Sequence, residues 1–122
     1  MKNILLVEDE ENLVNIVAMV LEEEGYKVRK STSAEEALKM FPGFAPDLII
    51  SDVKMSGMDG FTMLEKVRGF QPTMTFPFIC LTALDDASNQ QKARKLGASA
   101  YVTKSFDVED LVKLVKQVLV TS

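Results

Sequence analysis

The chain has 122 residues, of which 47% are hydrophobic and 26% charged, and its formal net charge is −4. This length predicts one domain covering residues 1–122, and the composition is typical of a folded globular protein rather than a disordered one. The negative charge argues against direct nucleic-acid binding, which needs clustered Lys and Arg. No apolar stretch is long enough for a membrane span, and the single cysteine, Cys80, fits a buried small hydrophobe in a reducing compartment. We therefore expect a cytoplasmic protein with no membrane partner.

Strand-like apolar runs and helical patterns alternate from the start of the chain. Residues 4–7 predict a first strand. A helix follows and ends before Gly25, since glycine suits the position just past a helix end. The predicted apolar face of this helix consists of Leu13, Ile16, Val17, Val20 and Leu21. Residues 26–30 carry three basic side chains and alternate weakly, which is typical of an edge strand.

The middle of the chain repeats this alternation. Ser33 can cap a short helix that runs through Met40, and Glu36 has the spacing that completes a capping box. Residues 48–50 predict a buried strand. The turn-rich segment 56–60 precedes a third helix that extends to about Arg68.

The last third predicts two more strands and two more helices. The strands are residues 78–81 and 99–103, and a polar helix over residues 86–96 lies between them and ends at Gly97. The last helix begins at Asp107. Its predicted buried face consists of Val108, Leu111, Val112, Val115, Val118 and Leu119.

Five strands thus alternate with five helices. Strands that are continuous apolar runs are covered on both faces, which indicates a parallel sheet. With right-handed crossovers, the pattern predicts an open, doubly wound α/β fold. We expect the flavodoxin-like strand order 2-1-3-4-5.

Polar residues close four of the five predicted strands. In open α/β sheets, ligands bind beyond the carboxyl ends of the strands. The residues at those ends are Glu8, Asp9, Asp52, Thr82 and Lys104. In the expected strand order they share one rim of the sheet. Crowded carboxylates favour a hard cation such as Mg²⁺, and the charges of Mg²⁺ and the lysine would balance those of the three acids, which lets a phosphoryl group approach.

Each of these residues is weak evidence by itself. Acids after a first strand can merely cap the next helix, Asp52 can simply end a strand, and Lys104 can be an ordinary solvated lysine. Hydroxyl groups such as that of Thr82 are common at strand ends. The conjunction of four strand ends with complementary chemistry is what favours a functional site.

Six stretches of the chain resemble the receiver domains of bacterial two-component response regulators, the CheY-like superfamily. In chain order they are residues 4–10 (ILLVEDE), 46–52 (PDLIISD), 55–60 (MSGMDG), 81–83 (LTA), 97–101 (GASAY) and 104–106 (KSF). No single stretch is decisive, but six in the correct order and spacing are highly specific.

The resemblance implies a Mg²⁺-dependent phosphoryl-accepting switch in a two-component phosphorelay. Asp52 would take the phosphoryl group from a phosphohistidine of a histidine kinase or phosphotransfer protein. The implied metal site consists of Glu8, Asp9, Asp52 and the backbone carbonyl of Lys54, and Mn²⁺ could substitute for Mg²⁺. The only catalysis implied is that of the protein's own phosphorylation and dephosphorylation.

The resemblance also implies how the phosphoryl group would be bound and sensed. Its oxygens would be bound by the Thr82 hydroxyl, the Ala83 backbone N–H and Lys104. Thr82 would move towards the phosphoryl group, and Tyr101 would turn inward as the second switch residue. The expected output surface surrounds the fourth helix, which is poor in large apolar residues, the fifth strand and the last helix. Its output domain or protein is unknown, and we expect a monomer or weak dimer.

Two positions depart from the pattern of the family. Ser105 follows Lys104 where the family usually has proline in a cis peptide bond, and a cis bond before a non-proline residue costs about 2.5–4 kcal/mol. Either Lys104–Ser105 is cis and stores that strain, or it is trans and Lys104 reaches the site differently. Ser56 stands where the family often has proline, which predicts a looser loop.

Two other functions fit the same fold class. A phosphorylation-independent receiver-like interaction module usually lacks the acids, the acceptor or the lysine, and this chain has all of them. A flavin or nucleotide binder needs a phosphate cradle after strand one, whereas Glu8-Asp9-Glu10-Glu11 would repel a bare phosphate. A His-based hydrolytic triad is excluded because the chain has no histidine.

Overall fold

The computed structural model describes residues 2–40, 46–55, 57–70, 77–82, 87–103 and 106–121. The strands are β1 Asn3–Val7, β2 Lys27–Ser31, β3 Leu48–Asp52, β4 Phe78–Thr82 and β5 Ala100–Thr103. The helices are α1 Glu11–Glu23, α2 Ala34–Lys39, α3 Gly60–Phe70, α4 Ala87–Lys95 and α5 Val108–Thr121. The predicted alternation of strands and helices is confirmed.

The strands form a parallel sheet in the order β2-β1-β3-β4-β5. The predicted doubly wound order is confirmed, and β2, with its basic side chains, is an edge strand as expected. The strand order reverses between β1 and β3, which is where ligands bind in sheets of this kind. The carboxyl ends of β1 and β3 are therefore neighbours, because Val7 pairs with Ser51.

Alternate side chains of the strands form two separate hydrophobic cores. Leu5 and Ile49 point to one face of the sheet, where they pack with buried residues of α2, α3 and α4. Ile4 and Ile50 point to the other face and pack with buried residues of α1 and α5. Because both faces are covered, the central strands are apolar throughout, and only their ends are free for polar chemistry.

The helix ends follow the expected local signals. The Ser33 hydroxyl accepts a hydrogen bond from the Glu36 N–H at 3.1 Å, which is the predicted cap of α2. Gly25 follows α1 with φ of 96°, a left-handed conformation that favours glycine. Asp59 precedes α3 and accepts a hydrogen bond from the Thr62 N–H at 2.8 Å.

The buried face of α1 differs from the predicted one. Ile16 is 48% exposed, and Val14 and Ala18 are buried in its place. The helix packs through the positions 14, 17, 18 and 21, which share one face at 3.6 residues per turn. Ile16 lies off that face, so the prediction for Ile16 was wrong. The helix has two overlapping faces with apolar residues, and the residue types alone did not show which one is buried.

Two smaller details also differ from prediction. Strand β2 begins at Lys27 and includes Ser31, one residue later than predicted at each end. In α5, Val108 and Val112 are only partly buried.

None of the helices in the described part of the chain has the length and hydropathy of a membrane-spanning segment.

Candidate functional site

Three carboxylates meet where β1 and β3 end. One oxygen from each of Glu8, Asp9 and Asp52 lies within 4.8 Å of the other two. Glu8 and Asp52 are buried, and Asp9 is exposed. The sheet order explains this meeting, because β1 and β3 are neighbours and run in the same direction. The cluster therefore consists of two buried acids and one acid that faces the solvent.

Glu8 is held by the backbone on both sides of it. Its N–H donates a hydrogen bond to the carbonyl of Ser31 at 3.0 Å, which extends the pairing of β1 with β2. Its Oε2 accepts a hydrogen bond from the Glu10 N–H at 2.9 Å, just before α1 begins. Glu8 thus contacts the residue that precedes α1 and belongs to the acidic cluster as well, but this hydrogen bond does not reach an N–H of the first helical turn.

Asp52 is the last residue of β3 and is 2% exposed. The Ser51 hydroxyl donates a hydrogen bond to the Asp52 carbonyl at 2.9 Å, and Val53 continues the pairing by donating to the Leu81 carbonyl at 2.9 Å. The Lys54 N–H donates a long hydrogen bond of 3.4 Å to Asp52 Oδ1. The first two contacts fix the backbone around Asp52, and the third restrains its side chain at the end of the strand.

Gly60 allows α3 to begin directly against Asp52. A Cβ atom at Gly60 would collide with the carbonyl oxygen of Asp52. The Gly60 N–H also donates a hydrogen bond to the Val53 carbonyl at 2.8 Å. The sequence signal for this close approach was the glycine in the turn-rich segment, but its partner could not be read from the sequence.

The chemistry of the cluster fits a hard divalent cation. All three side chains offer carboxylate oxygen, the ligand type that Mg²⁺ and similar cations prefer, and none offers nitrogen or sulfur. Two of the acids are buried, where repulsion between charges is weakly screened, so a cation would relieve a real electrostatic cost. The residues present therefore fit a Mg²⁺ site.

The other predicted site residues lie partly outside the described residues. Ala83, Lys104, Ser105 and Ser56 lie outside them, and so does the question of a cis or trans Lys104–Ser105 bond. The backbone of Thr82 ends β4 and pairs with Thr103 of β5, so both strands end at the same edge of the sheet as β3. The Lys54 side chain is exposed. The predicted metal ligand at this position is the backbone carbonyl, so the prediction does not depend on the side chain.

Tyr101 is partly buried and packs against the core shared by α2, α3 and α4. It pairs with Cys80 in the register of β4 and β5. Beside it, between α4 and β5, lies a cavity of about 300 Å³ that is also lined by Gln90, Ala93 and Arg94. An aromatic ring next to unfilled space has room to change its position.

Helix α4 is attached mainly by small and polar groups. Among its described side chains, Ala93 is the buried apolar one. The ammonium group of Lys92 lies 5.1 Å from the centre of the Phe61 ring, a cation–π distance. Just beyond the helix, Arg68 Nη2 donates a hydrogen bond to the Gly97 carbonyl at 3.2 Å. This weak apolar anchoring agrees with the polar sequence of the helix.

Cys80 takes no part in the acidic cluster. It is 1% exposed, and burial raises the pKa of its thiol to about 12. Since the thiolate is the reactive form, we expect a thiol-specific reagent at pH 8 to modify the native protein very slowly and the urea-unfolded protein fully. Rapid modification of the native protein, followed by its absorbance change, would contradict this burial.

Comparison with known proteins places the chain and its fold in a family. The family model described as "Response regulator receiver domain" matches residues 4–116. The chain is 37% identical over 118 residues to the alkaline phosphatase synthesis transcriptional regulatory protein PhoP of Bacillus subtilis (strain 168), which covers 97% of this chain and 48% of that relative. The chain therefore spans about half the length of this relative.

Two solved structures have the same fold. A putative response regulator from Chloroflexus aurantiacus J-10-fl superposes with a TM-score of 0.89 at 36% identity, covering 98% of both chains. The signal receiver domain of a signal transduction histidine kinase from Syntrophus aciditrophicus gives a TM-score of 0.88 at 33% identity, covering 99% of this chain and 92% of that chain. With its sheet order and the match over residues 4–116, the chain belongs to the response regulator receiver domain family of two-component signalling proteins.

Proposed function

We propose that the chain is a phosphoryl-accepting switch in a two-component phosphorelay and that Asp52 is the phosphoacceptor. The observation that carries this proposal is the meeting of the Asp52 carboxylate with those of Glu8 and Asp9, within 4.8 Å, at the carboxyl edge of a receiver sheet. Three carboxylates this close repel one another, which is unfavourable unless a cation or a reaction makes use of them.

The proposed reaction is a simple phosphoryl transfer. An oxygen of the Asp52 carboxylate attacks the phosphorus of a phosphohistidine on a histidine kinase or phosphotransfer protein. The new P–O bond gives an acyl phosphate, the P–N bond breaks, and its electron pair returns to the imidazole, which then takes a proton. Catalysis of such a transfer is mostly positioning and stabilisation of charge, and the fixed backbone of Asp52 supplies the positioning.

We assign a Mg²⁺ site to the acidic cluster, with Mn²⁺ as a possible substitute. The residues that would hold the ion are Glu8, Asp9, Asp52 and the backbone carbonyl of Lys54. When bound, the ion supplies positive charge that neutralises the acids and the phosphoryl oxygens. The support for this assignment is the all-oxygen donor set and the burial of two of the acids.

The phosphoryl oxygens are assigned to three partners. Lys104 pairs with them, and the Thr82 hydroxyl and the Ala83 backbone N–H donate hydrogen bonds to them. The support is topological: Thr82 and Thr103 end their strands at the same sheet edge as Asp52. With Mg²⁺ bound, the positive charge of Lys104 completes the neutralisation of the three acids.

The switch is proposed to act through Thr82 and Tyr101. Thr82 moves towards the phosphoryl group, Tyr101 turns inward, and the surface formed by α4, β5 and α5 changes. The cavity of about 300 Å³ beside Tyr101 and the weak apolar anchoring of α4 support this proposal. Weakly anchored elements require little free energy to shift.

The partners follow from the proposed transfer. A histidine kinase or phosphotransfer protein donates the phosphoryl group, and an output domain or protein reads the altered surface. We further propose that residues 1–122 form one receiver domain that acts in the cytoplasm as a monomer or weak dimer and does not itself contact nucleic acid. The relative from Bacillus subtilis is named as a transcriptional regulatory protein, which supports an output of some kind.

Intact mass spectrometry tests the proposal directly. Incubation with Mg²⁺ and acetyl phosphate is expected to add one phosphoryl group to the protein, since a small-molecule donor replaces the unknown kinase. Chelation of the metal before addition of the donor is the control and is expected to prevent labelling. A protein that stays unmodified with Mg²⁺ and donor present would instead favour the phosphorylation-independent interaction module.

A further inference from the structure

A contact outside the acidic cluster joins α2 to the loop between β3 and α3. The Met58 N–H donates a hydrogen bond to Glu35 Oε2 at 3.2 Å, across 23 positions of the sequence. Glu35 lies in the first turn of α2, and Met58 lies between Asp52 and the start of α3. The side chain of one helix therefore holds the backbone of the loop that follows the proposed phosphoacceptor.

Gly57 shows how closely the Glu35 carboxylate lies against this loop. Gly57 has φ of +82°, a conformation that side chains rarely allow, and a Cβ atom there would lie 2.5 Å from Glu35 Oε2 and 3.3 Å from its Cδ. The carboxylate thus occupies the space that a side chain at Gly57 would need. The carboxylate can lie this close to the loop only because position 57 is glycine.

The rest of the loop is anchored independently. At its far end, Gly60 is hydrogen-bonded to Val53 and lies against the Asp52 carbonyl. Met55 is buried, and Met58 packs partly against the core. In the described part of the loop, Glu35 therefore adds a polar restraint on the middle residues. Ser56, where the family often has proline, lies outside the described residues.

We propose that Glu35 is a positioning residue for the metal site. Its carboxylate holds the β3–α3 loop so that the Lys54 carbonyl is presented to the cation beside Asp52. Glu35 acts through the Met58 backbone and contacts neither the ion nor the reacting atoms. This inference depends on the proposed metal site and phosphoryl transfer.

Three variants test this role, and two readouts are independent of phosphorylation. Glu35→Ala removes the hydrogen bond, Glu35→Gln keeps an oxygen acceptor without the charge, and Glu36→Ala removes the same charge from the adjacent exposed position. The readouts are the exchange rate of the Met58 amide in metal-free protein, by NMR, and the Mg²⁺ dissociation constant, by titration calorimetry.

The expected results separate positioning from simple charge. Glu35→Ala weakens Mg²⁺ binding by about fivefold and speeds Met58 exchange, since one hydrogen bond contributes about that much. Glu35→Gln restores most of both values. Glu36→Ala remains within about twofold of the wild type, because Glu36 is exposed like Glu35 and the hydrogen bond to the loop is made by Glu35. A general loss of stability would affect Glu35→Ala and Glu36→Ala alike, so it would not produce this difference between the two variants.

Three outcomes would overturn the inference. They are wild-type Mg²⁺ binding in Glu35→Ala, equal losses in Glu35→Ala and Glu36→Ala without rescue by Gln, and a wild-type protein that does not bind Mg²⁺. Failure of the proposed function looks different: a wild-type protein that binds Mg²⁺ but is never phosphorylated refutes the phosphoryl transfer, while the binding and exchange comparison still decides the role of Glu35.

Discussion

Replacing Asp52 by Asn is expected to abolish phosphorylation by acetyl phosphate and leave the fold intact. The amide is a poor nucleophile, so no acyl phosphate can form, and labelling should fall at least about a hundredfold. The shape of the side chain is kept, and its Oδ1 can still accept the hydrogen bond from the Lys54 N–H. Intact mass spectrometry with peptide mapping measures the label, and circular dichroism confirms folding.

Asp47→Asn is the matched control for this experiment. Asp47 lies just before the start of β3, and its Oδ2 accepts a hydrogen bond from the Asn3 N–H at 2.7 Å. The side-chain oxygen of an Asn can accept the same hydrogen bond. The control should therefore be labelled like the wild type. Undiminished labelling of Asp52→Asn would remove Asp52 as the acceptor and direct attention to the exposed Asp9.

Most of the fold could be predicted because hydrophobic periodicity reports local structure. The strands are short apolar runs, and the helices have caps and stops such as Ser33 and Gly25 that act within a few residues. The prediction failed for Ile16, where the sequence offers two overlapping apolar stripes. The face that contains Val14 and Ala18 is buried because of how the helix packs on the sheet. Periodicity alone does not predict which of the two faces is buried.

The convergence of the acids could also be predicted, because it follows from strand order. Glu8, Asp9 and Asp52 need only end neighbouring parallel strands. Their different environments could not be predicted: Glu8 is buried and bonded to the Glu10 N–H, whereas Asp9 is exposed. Burial depends on how α1 packs over the sheet, which no local pattern specifies.

The contacts that support the site were not predicted. The hydrogen bond between Glu35 and Met58 and the approach of Gly60 to Asp52 join elements that are distant in sequence or depend on helix placement. A glycine in a turn signals a special conformation but not the partner that requires it. Contacts of this kind depend on how the elements pack, which no local sequence pattern specifies.

Asp9→Asn is expected to change the stability of the protein in opposite directions with and without Mg²⁺. Without metal, the variant removes one of three negative charges that lie within 4.8 Å, so repulsion falls. Because Asp9 is exposed, the gain in the free energy of unfolding should be about 1 kcal/mol. Urea denaturation in the presence of a chelator measures this difference.

With saturating Mg²⁺, the order of stability should be reversed, so that the Asn variant is less stable than the wild type. Binding to the folded state alone stabilises it by about 2.7 kcal/mol at a metal concentration one hundred times the dissociation constant, and a tenfold loss of affinity removes about 1.4 kcal/mol of that. The Asn variant loses a direct ligand, so it should gain less from Mg²⁺ than the wild type does. A second urea series at fixed Mg²⁺ concentration gives the comparison.

Glu11→Gln separates this effect from a general loss of charge. Glu11 is an exposed acid in the first turn of α1, where a negative charge is favourable, so its removal should lower stability slightly and equally in both series. Equal Mg²⁺ stabilisation of Asp9→Asn and wild type would exclude Asp9 from the metal site. Opposite signs in the two series require Asp9 to be both a source of repulsion and a ligand, and the two roles together distinguish a metal centre from acids that only cap a helix.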